Sequence, residues 1–325
     1  MKIIYPLSFA FFCLFMGGYS LQKFRKESSL VLTSQALPTK LNILKNNIEA
    51  IIKNKKATVG VAIIIDGKDT LTLNNAEKYP MMSVYKFHQA LAVCDYLKRK
   101  NLPLTTLLYL DKKFFIPNTY SPLRDKYPLG NLELPLSKLL TYTLQLSDNI
   151  ACDILFDYIG GVNIVHEYIH SLGIKEVSIA TTENEMHQDL KNCYKNWSTP
   201  LAAVCLLEIF ATNTSLQNEY TSFVKRTMIE CQTGKNRLAA PLSENNVIIG
   251  HKTGTSDQNA HGEYIGINDI GFVILPNGMR YTIAVFIKDS QEKMNTNAQI
   301  IADISAVVYQ FVCHQVTTSK SNERI

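Results

Sequence analysis

Strand-like segments occur in two groups near the ends of this chain, and a long helical stretch separates them. "ATVGVAIIIDGKDTLTLN", from Ala57, reads as two strands joined at the hairpin dipeptide Asp66-Gly67. Strand signals return at "NVIIGHKTG", "DIGFVILPNG" and "RYTIAVFIKDS", with Pro276-Asn277-Gly278 as a turn. Between Pro80 and Glu230 the apolar residues recur mainly at helical spacing. "LNILKNNIEAIIKN", entered at Pro38, and "QEKMNTNAQIIADISAVVYQFVCHQ" add a helix at either end. The simplest packing joins the early and late strands into one sheet. The predicted fold is α+β with two lobes: an antiparallel five-stranded sheet flanked by the N- and C-terminal helices, plus an inserted all-helical lobe. Residues 39–79 and 231–315 form the α/β lobe, residues 80–230 the helical lobe, and residues 316–325 a frayed tail. Catalytic sites favour the cleft between such lobes.

Composition excludes several classes. Apolar residues make up 46% of the 325 and charged residues 19%, as in a folded globular protein. The net charge of +5 is spread along the chain. The cluster Lys98-Arg99-Lys100 ends a helical pattern, where cations suit the helix dipole, so no nucleic-acid partner is expected. Zinc-type Cys/His spacing, a P-loop and a dinucleotide fingerprint are missing from the sequence, and no metal or organic cofactor is expected. Residues 1–20, "MKIIYPLSFAFFCLFMGGYS", run from one lysine through an apolar stretch to Gly17, Gly18 and Ser20. That order is the order of a secretory signal peptide, an uncleaved anchor being the alternative. A polar leader, residues 21–38, follows. The expectation is a monomer exported to the periplasm, without stable membrane association after cleavage. Six further cysteines are widely spaced, unlike a disulfide scaffold, and read as buried small hydrophobes. A single Cys94–Cys152 bridge stays open.

"MMSVYKFHQALAV", residues 81–93, reads as an amphipathic helix with Ser83 and Lys86 stacked in its first turn. Ser-x-x-Lys also occurs at Ser20, Ser222 and Ser290, so the spacing alone decides nothing. Two further strings, each occurring once, give it context: Ser147-Asp148-Asn149 at a break between helical patterns, and Lys252-Thr253-Gly254 at a strand end. A serine hydroxyl becomes a nucleophile when an amine or a positioned water takes its proton. At a helix start, Ser83 N–H also offers half of an oxyanion hole. Ser147 is placed to pass a proton towards a leaving nitrogen, and Lys252 supplies a fixed positive charge. Gly254 permits close backbone approach, and Thr255 N–H is the second oxyanion donor.

Together, in this order, the three strings are the signature set of penicillin-recognising serine enzymes, and the chain resembles a class A serine β-lactamase. The resemblance extends to "YSPLRDKYP", whose Tyr120 matches the aromatic residue at the family's cleft entrance. "ATTENEMHQD" resembles its Ω-loop, with Glu183 at the glutamate that activates the deacylating water. It implies that Asn149 holds the side-chain amide of a β-lactam substrate, and that Lys252 and Thr253 bind its carboxylate. Whether Lys86 or Glu183 takes the first proton stays open at this level.

Departures from the family pattern are specific. Thr181 stands where many members carry an arginine and Asn196 where they carry its aspartate partner, so the ion pair closing the Ω-loop gives way to a different, hydrogen-bonded geometry. His187 replaces the asparagine that helps hold the water, and a structural hydrogen bond is expected of it. Arg237 is read as the carboxylate-binding charge missing from "DIGFVIL", and His251 as structural. Such changes resemble subclass A2, many of whose members favour cephalosporins. A D-Ala-D-Ala peptidase or a β-lactam sensor would share the three signatures but lack a deacylating carboxylate, and Glu183 argues against both. A related glutaminase would lack the leader.

Overall fold

The computed structural model describes residues 39–212, 218–243 and 246–322. Helix α1 (Thr39–Ile52) leads into β1 (Thr58–Ile65) and β2 (Asp69–Leu73). Asp66 and Gly67 turn the chain at φ 51° and 69°, and Lys68 N–H donates to Ile65 O at 3.0 Å. Two successive left-handed residues define a type I′ turn, which Asp-Gly accommodates with little strain. Strand β3 (Tyr79–Pro80) delivers the chain to a 3-10 turn, Met82–Val84, and then to α2 (Tyr85–Lys100). Asn101 ends α2 in the left-handed conformation, with Lys98, Arg99 and Lys100 filling the last turn as the helix dipole favours. Strands β4 (Leu107–Leu110) and β5 (Leu132–Pro135) pair around a loop that holds α3 (Pro122–Lys126). Helices α4 (Leu136–Gln145), α5 (Asn149–Ile159) and α6 (Val162–Ser171) follow. After β6 (Val177–Ser178), α7 (Glu183–Gln188) and β7 (Trp197–Ser198) come α8 (Pro200–Thr212) and α9 (Glu219–Ile229). Strands β8 (Ile248–Thr255), β9 (Tyr264–Ile274) and β10 (Arg280–Ser290) precede the last helix, α10 (Met294–Asn322).

The early and late strands form one antiparallel sheet in the order β2-β1-β10-β9-β8. Its register separates two apolar faces. Ala62, Ala284 and Ile270 make one cross-strand row and join a core that includes Phe87 of α2 and Leu207 of α8. Ile63 and Ile283, one residue along, face the opposite side, where α1 and α10 pack together. Strands covered on both faces read as nearly continuous apolar runs rather than as alternation. The helical segment and the sheet share that core, and Pro38–Ile325 is one compact unit, so the two lobes are not separable bodies.

Three expectations change. The central segment holds two small sheets, β3-β7-β6 and β4-β5. Strands of two to four residues are too short to show a readable alternation, which is why the sequence hid them. Helix α10 runs on to Asn322, past the boundary expected at residue 315, because the terminal residues of the helix contain no glycine or proline to stop it. Cys94 and Cys152 are both free thiols, and each points at an oxygen instead: Cys94 Sγ at Tyr220 O (3.8 Å) and Cys152 Sγ at Tyr85 Oη (3.6 Å). Residues 1–38 and 323–325 lie outside the described residues, so the leader and the end of the tail are not addressed by the fold. Among the described residues no helix is long and apolar enough to cross a membrane.

The core makes a direct prediction. Phe286 is fully buried on β10, its ring 5.8 Å from that of Tyr79. Phe286→Ala should lower unfolding free energy by about 3–5 kcal/mol, read as a drop in the denaturant midpoint at unchanged slope.

Candidate active site

Ser83 sits in the 3-10 turn that precedes α2, not in the first turn of the α-helix. Nor is α2 amphipathic: every residue from Tyr85 to Cys94 is buried. Helices α4, α5, α6 and α9 surround it, so an apolar stripe has no outward face to leave polar. The turn is strained and strapped. Met82 takes φ 48°, a left-handed value that a non-glycine residue adopts at some cost. Asn268 of β9, fully buried, donates from Nδ2 to Pro80 O (2.8 Å) and Met81 O (3.1 Å). Gly254 lies against the same turn, where an added Cβ would come within 2.4 Å of Met81 O. The glycine expected to allow close approach does so for this turn.

Lys86 is wholly buried, and its Nζ has four oxygen neighbours. They are Ser83 Oγ at 3.0 Å, Ser147 O at 2.7 Å, Asn149 Oδ1 at 2.7 Å and Glu183 Oε1 at 2.9 Å. An ammonium carries three N–H donors and no acceptor, so an all-oxygen shell suits the charged amine. Ser83 Oγ is itself 3.4 Å from Glu183 Oε1. Ser147 adopts φ 59°, another left-handed non-glycine residue, which turns its carbonyl to Lys86 and its hydroxyl to Lys252. Asp148 caps α5 through Ala151 N–H (2.9 Å) and accepts from Ser121 Oγ and Leu123 N–H. That buried carboxylate ties the Tyr120 segment to the Ser147–Asn149 turn and leaves Tyr120 exposed in the cleft wall.

Glu183 opens the short helix α7, whose capping box pairs Thr182 with Glu185. Asp153 of α5 accepts the backbone N–H groups of Glu183 and Asn184, each at 2.8 Å. Burial and the Glu183 charge push its carboxyl up to about 7, against those two hydrogen bonds. Asp153 escaped the sequence reading, although it lies four residues after Asn149, one helical turn along α5. Asn196, fully buried, closes the loop in place of an ion pair. Its Oδ1 accepts from Ala180 N (2.7 Å) and Thr181 N (3.0 Å), and its Nδ2 donates to Thr181 O (2.8 Å). His187 corrects an expectation. It is exposed, stands outside the cleft, and among the described residues no hydrogen bond holds its ring. Met186 is buried and fixes the roll of α7, so the next residue, about 100° round the helix, points away.

The far wall is β8, the edge strand of the sheet. Ser256 N–H donates to Gly266 O, so the alternation of an antiparallel ladder turns Thr255 N–H off the free edge, towards the cleft. Lys252 is fully buried behind this wall rather than in it, donating to Ser147 Oγ (2.8 Å) and Thr253 O (2.9 Å). Burial and the neighbouring Lys86 charge bring its amine down to about 7. Arg237, also buried, donates to Gly254 O, Asn268 O and Thr255 Oγ1. Thr233, which the sequence did not single out, bonds Thr253 Oγ1 at 2.6 Å. The cleft so formed has a volume of about 290 Å³, and Ser83, Ser147, Asn149 and Glu183 face Thr253, Thr255 and Arg237 across it.

A serine beside a lysine and a carboxylate, in a cleft that the Thr255 N–H faces, has the parts of an acyl-transfer hydrolase. An α+β fold of this order with a cleft of this kind is the setting of a serine hydrolase. A family model described as the beta-lactamase enzyme family matches residues 43–312. A beta-lactamase of Bacteroides uniformis is 43% identical over 82% of this chain and 90% of that protein. The extended-spectrum beta-lactamase PER-1 of Pseudomonas aeruginosa is 37% identical over 86% and 91%. The crystal structure of a class A beta-lactamase from Bacteroides cellulosilyticus superposes with a TM-score of 0.81 at 44% identity, covering 85% of this chain and 99% of that one. The chain belongs to the class A serine β-lactamase family.

Asn196 should matter for stability first. Asn196→Ala would leave the N–H groups of Ala180 and Thr181, the second of them buried, without their acceptor, at a cost of about 1–3 kcal/mol in chemical denaturation.

Proposed function

We propose that Ser83 opens the lactam ring of β-lactam antibiotics to give an acyl-enzyme, and that a water activated by Glu183 releases it. The observation that carries this reading is the position of Lys86 Nζ, 3.0 Å from Ser83 Oγ and 2.9 Å from Glu183 Oε1. The Lys86 ammonium has no lone pair for a proton, so Glu183 is the base, through a water or across the 3.4 Å to Ser83 Oγ. The attacked carbonyl oxygen becomes an oxyanion between the N–H groups of Ser83 and Thr255. Ser147, linked to Lys252, hands its proton to the departing lactam nitrogen. Tyr120 borders the ring, and Asn149, on the Ser147 side, meets the substrate's side-chain amide. Thr253, Thr255 and Arg237 meet its carboxylate, with Lys252 supplying positive potential from behind. Asp153 holds the N-terminus of α7 and thereby Glu183. Residues 1–20 act as an export signal to the periplasm, where the substrates arrive, and the mature chain acts as a monomer. His187 has no part in the chemistry.

Turnover of a chromogenic cephalosporin tests the reading. The purified chain from residue 21 should complete many turnovers per site. Glu183→Ala should retain at most a stoichiometric burst and lose the steady state by about 10³-fold or more. A burst that ends after one equivalent in the unmodified enzyme would refute hydrolysis and indicate a peptidase or sensor.

Lys252 predicts a basic limb. Its amine, lowered to about 7, is charged below that pH and neutral above it. kcat/KM for a carboxylate-bearing β-lactam should therefore fall as pH rises through about 7, since that ratio reports the free enzyme. The same substrate with its carboxylate esterified should show no such limb.

A further inference from the structure

Behind the wall that carries Thr253 lies a second cluster of reactive side chains that the acyl-transfer steps do not use. His251 and Lys252 are neighbours on β8, so their side chains leave opposite faces of the sheet. Lys252 turns to Ser147. His251 turns the other way, its Nδ1 3.0 and 3.1 Å from the two carboxylate oxygens of Asp269. The buried imidazole is also a neighbour of the thiol of Cys231, a partly exposed residue between α9 and Thr233. Cys231 Sγ is 3.4 Å from Thr233 Oγ1, which is bonded in turn to Thr253 Oγ1. A continuous chain of contacts therefore runs from Asp269 through His251, Cys231 and Thr233 to the cleft.

A cysteine beside an imidazole that a carboxylate orients has the arrangement that activates a thiol. Burial alone would raise the Cys231 thiol, but the neighbouring His251 and the Lys252 charge bring it down to about 7. Burial likewise disfavours the His251 cation, and Asp269 and Cys231 outweigh it, raising the imidazole to about 10. At Cys94 and Cys193 burial prevails and pushes the thiol up to about 12, and at Cys152 it holds the thiol well above its ordinary value.

We propose that Cys231 is an oxidant-sensitive thiol, and that its conversion to a sulfenic acid by hydrogen peroxide weakens substrate binding at Thr253. The second half rests on reading Thr253 as a carboxylate contact. The thiolate sulfur attacks one peroxide oxygen, an S–O bond forms and the O–O bond breaks. The departing hydroxide takes the imidazolium proton and leaves as water. Sulfur is oxidised by two electrons and peroxide is reduced by two. The new oxygen has to enter the space beside Thr233 Oγ1, displacing that hydroxyl from Thr253.

The purified chain is treated with hydrogen peroxide and dimedone, which traps sulfenic acids, and peptides are mapped over time. Cys231 should acquire the adduct about tenfold faster than any other cysteine. Without dimedone, KM for a chromogenic cephalosporin should rise by about tenfold with kcat less affected, as for one lost hydrogen bond to a charged group. Dithiothreitol should restore it, which oxidation of Met82 to the sulfoxide would not permit. Cys231→Ser should keep its basal activity and lose the sensitivity, and His251→Gln should slow adduct formation. Labelling of another cysteine ahead of Cys231, or an unchanged rate in His251→Gln, overturns the activated thiol. An adduct at Cys231 with KM unchanged, or a Cys231→Ser enzyme inactivated as fast as the parent, overturns the link to Thr253. Failure of the acyl-enzyme reading would instead appear before any peroxide is added, as absent turnover.

Discussion

The buried ammonium of Lys86 is the interaction on which the rest of the site depends. A charge removed from water is costly unless donors and acceptors match it, and here Ser83, Ser147, Asn149 and Glu183 supply the oxygens. These four residues come from the turn before α2, the break before α5, the start of α5 and the start of α7. One cation therefore holds together segments that the chain order keeps up to 100 residues apart. Losing one oxygen would leave a buried charge short of a partner, so the positions of Ser83, Ser147 and Glu183 are coupled.

Two left-handed residues, Met82 and Ser147, flank this ammonium. Neither is a glycine, so each conformation is imposed by surroundings. Asn268 holds the first through the carbonyls of Pro80 and Met81, and Lys86 and Lys252 hold the second through the carbonyl and hydroxyl of Ser147. Strain held in this way keeps the side chains in place before substrate arrives, which is what electrostatic preorganisation requires. The Ω-loop follows similar logic by a different route. An amide at Asn196 makes three hydrogen bonds to its backbone, and Asp153 makes two more. The Asn196 amide bonds thus stand where the family pattern has an ion pair closing the loop.

What was legible in the sequence was periodicity and turn chemistry. Asp66-Gly67 marked the β1–β2 hairpin, the apolar runs marked the sheet, and the three short strings marked where the cleft would gather. What escaped had no local signature. Asp153 and Thr233 are ordinary residues on a helix and a loop until the fold sets them beside Glu183 and Thr253. His187 was misplaced for the complementary reason. Its match to the family's asparagine suggested a hydrogen bond in the loop, but Met186 decided which way the short helix rolls.

By itself the sequence pointed to the class of fold, because strands at both ends of a helical stretch are most simply buried by joining across it. It also marked Ser83, Lys86, Ser147 and Glu183, which the fold brings together, because a hydroxyl, an amine and a carboxylate stand out in that combination. Only the tertiary structure decided that Lys252 stands behind the cleft wall and that Ser83 rides a strained 3-10 turn. It also decided that Cys231 lies between an imidazole and a threonine. Those outcomes depend on register, helix roll and burial, which arise from packing between distant segments and leave no trace in any one of them.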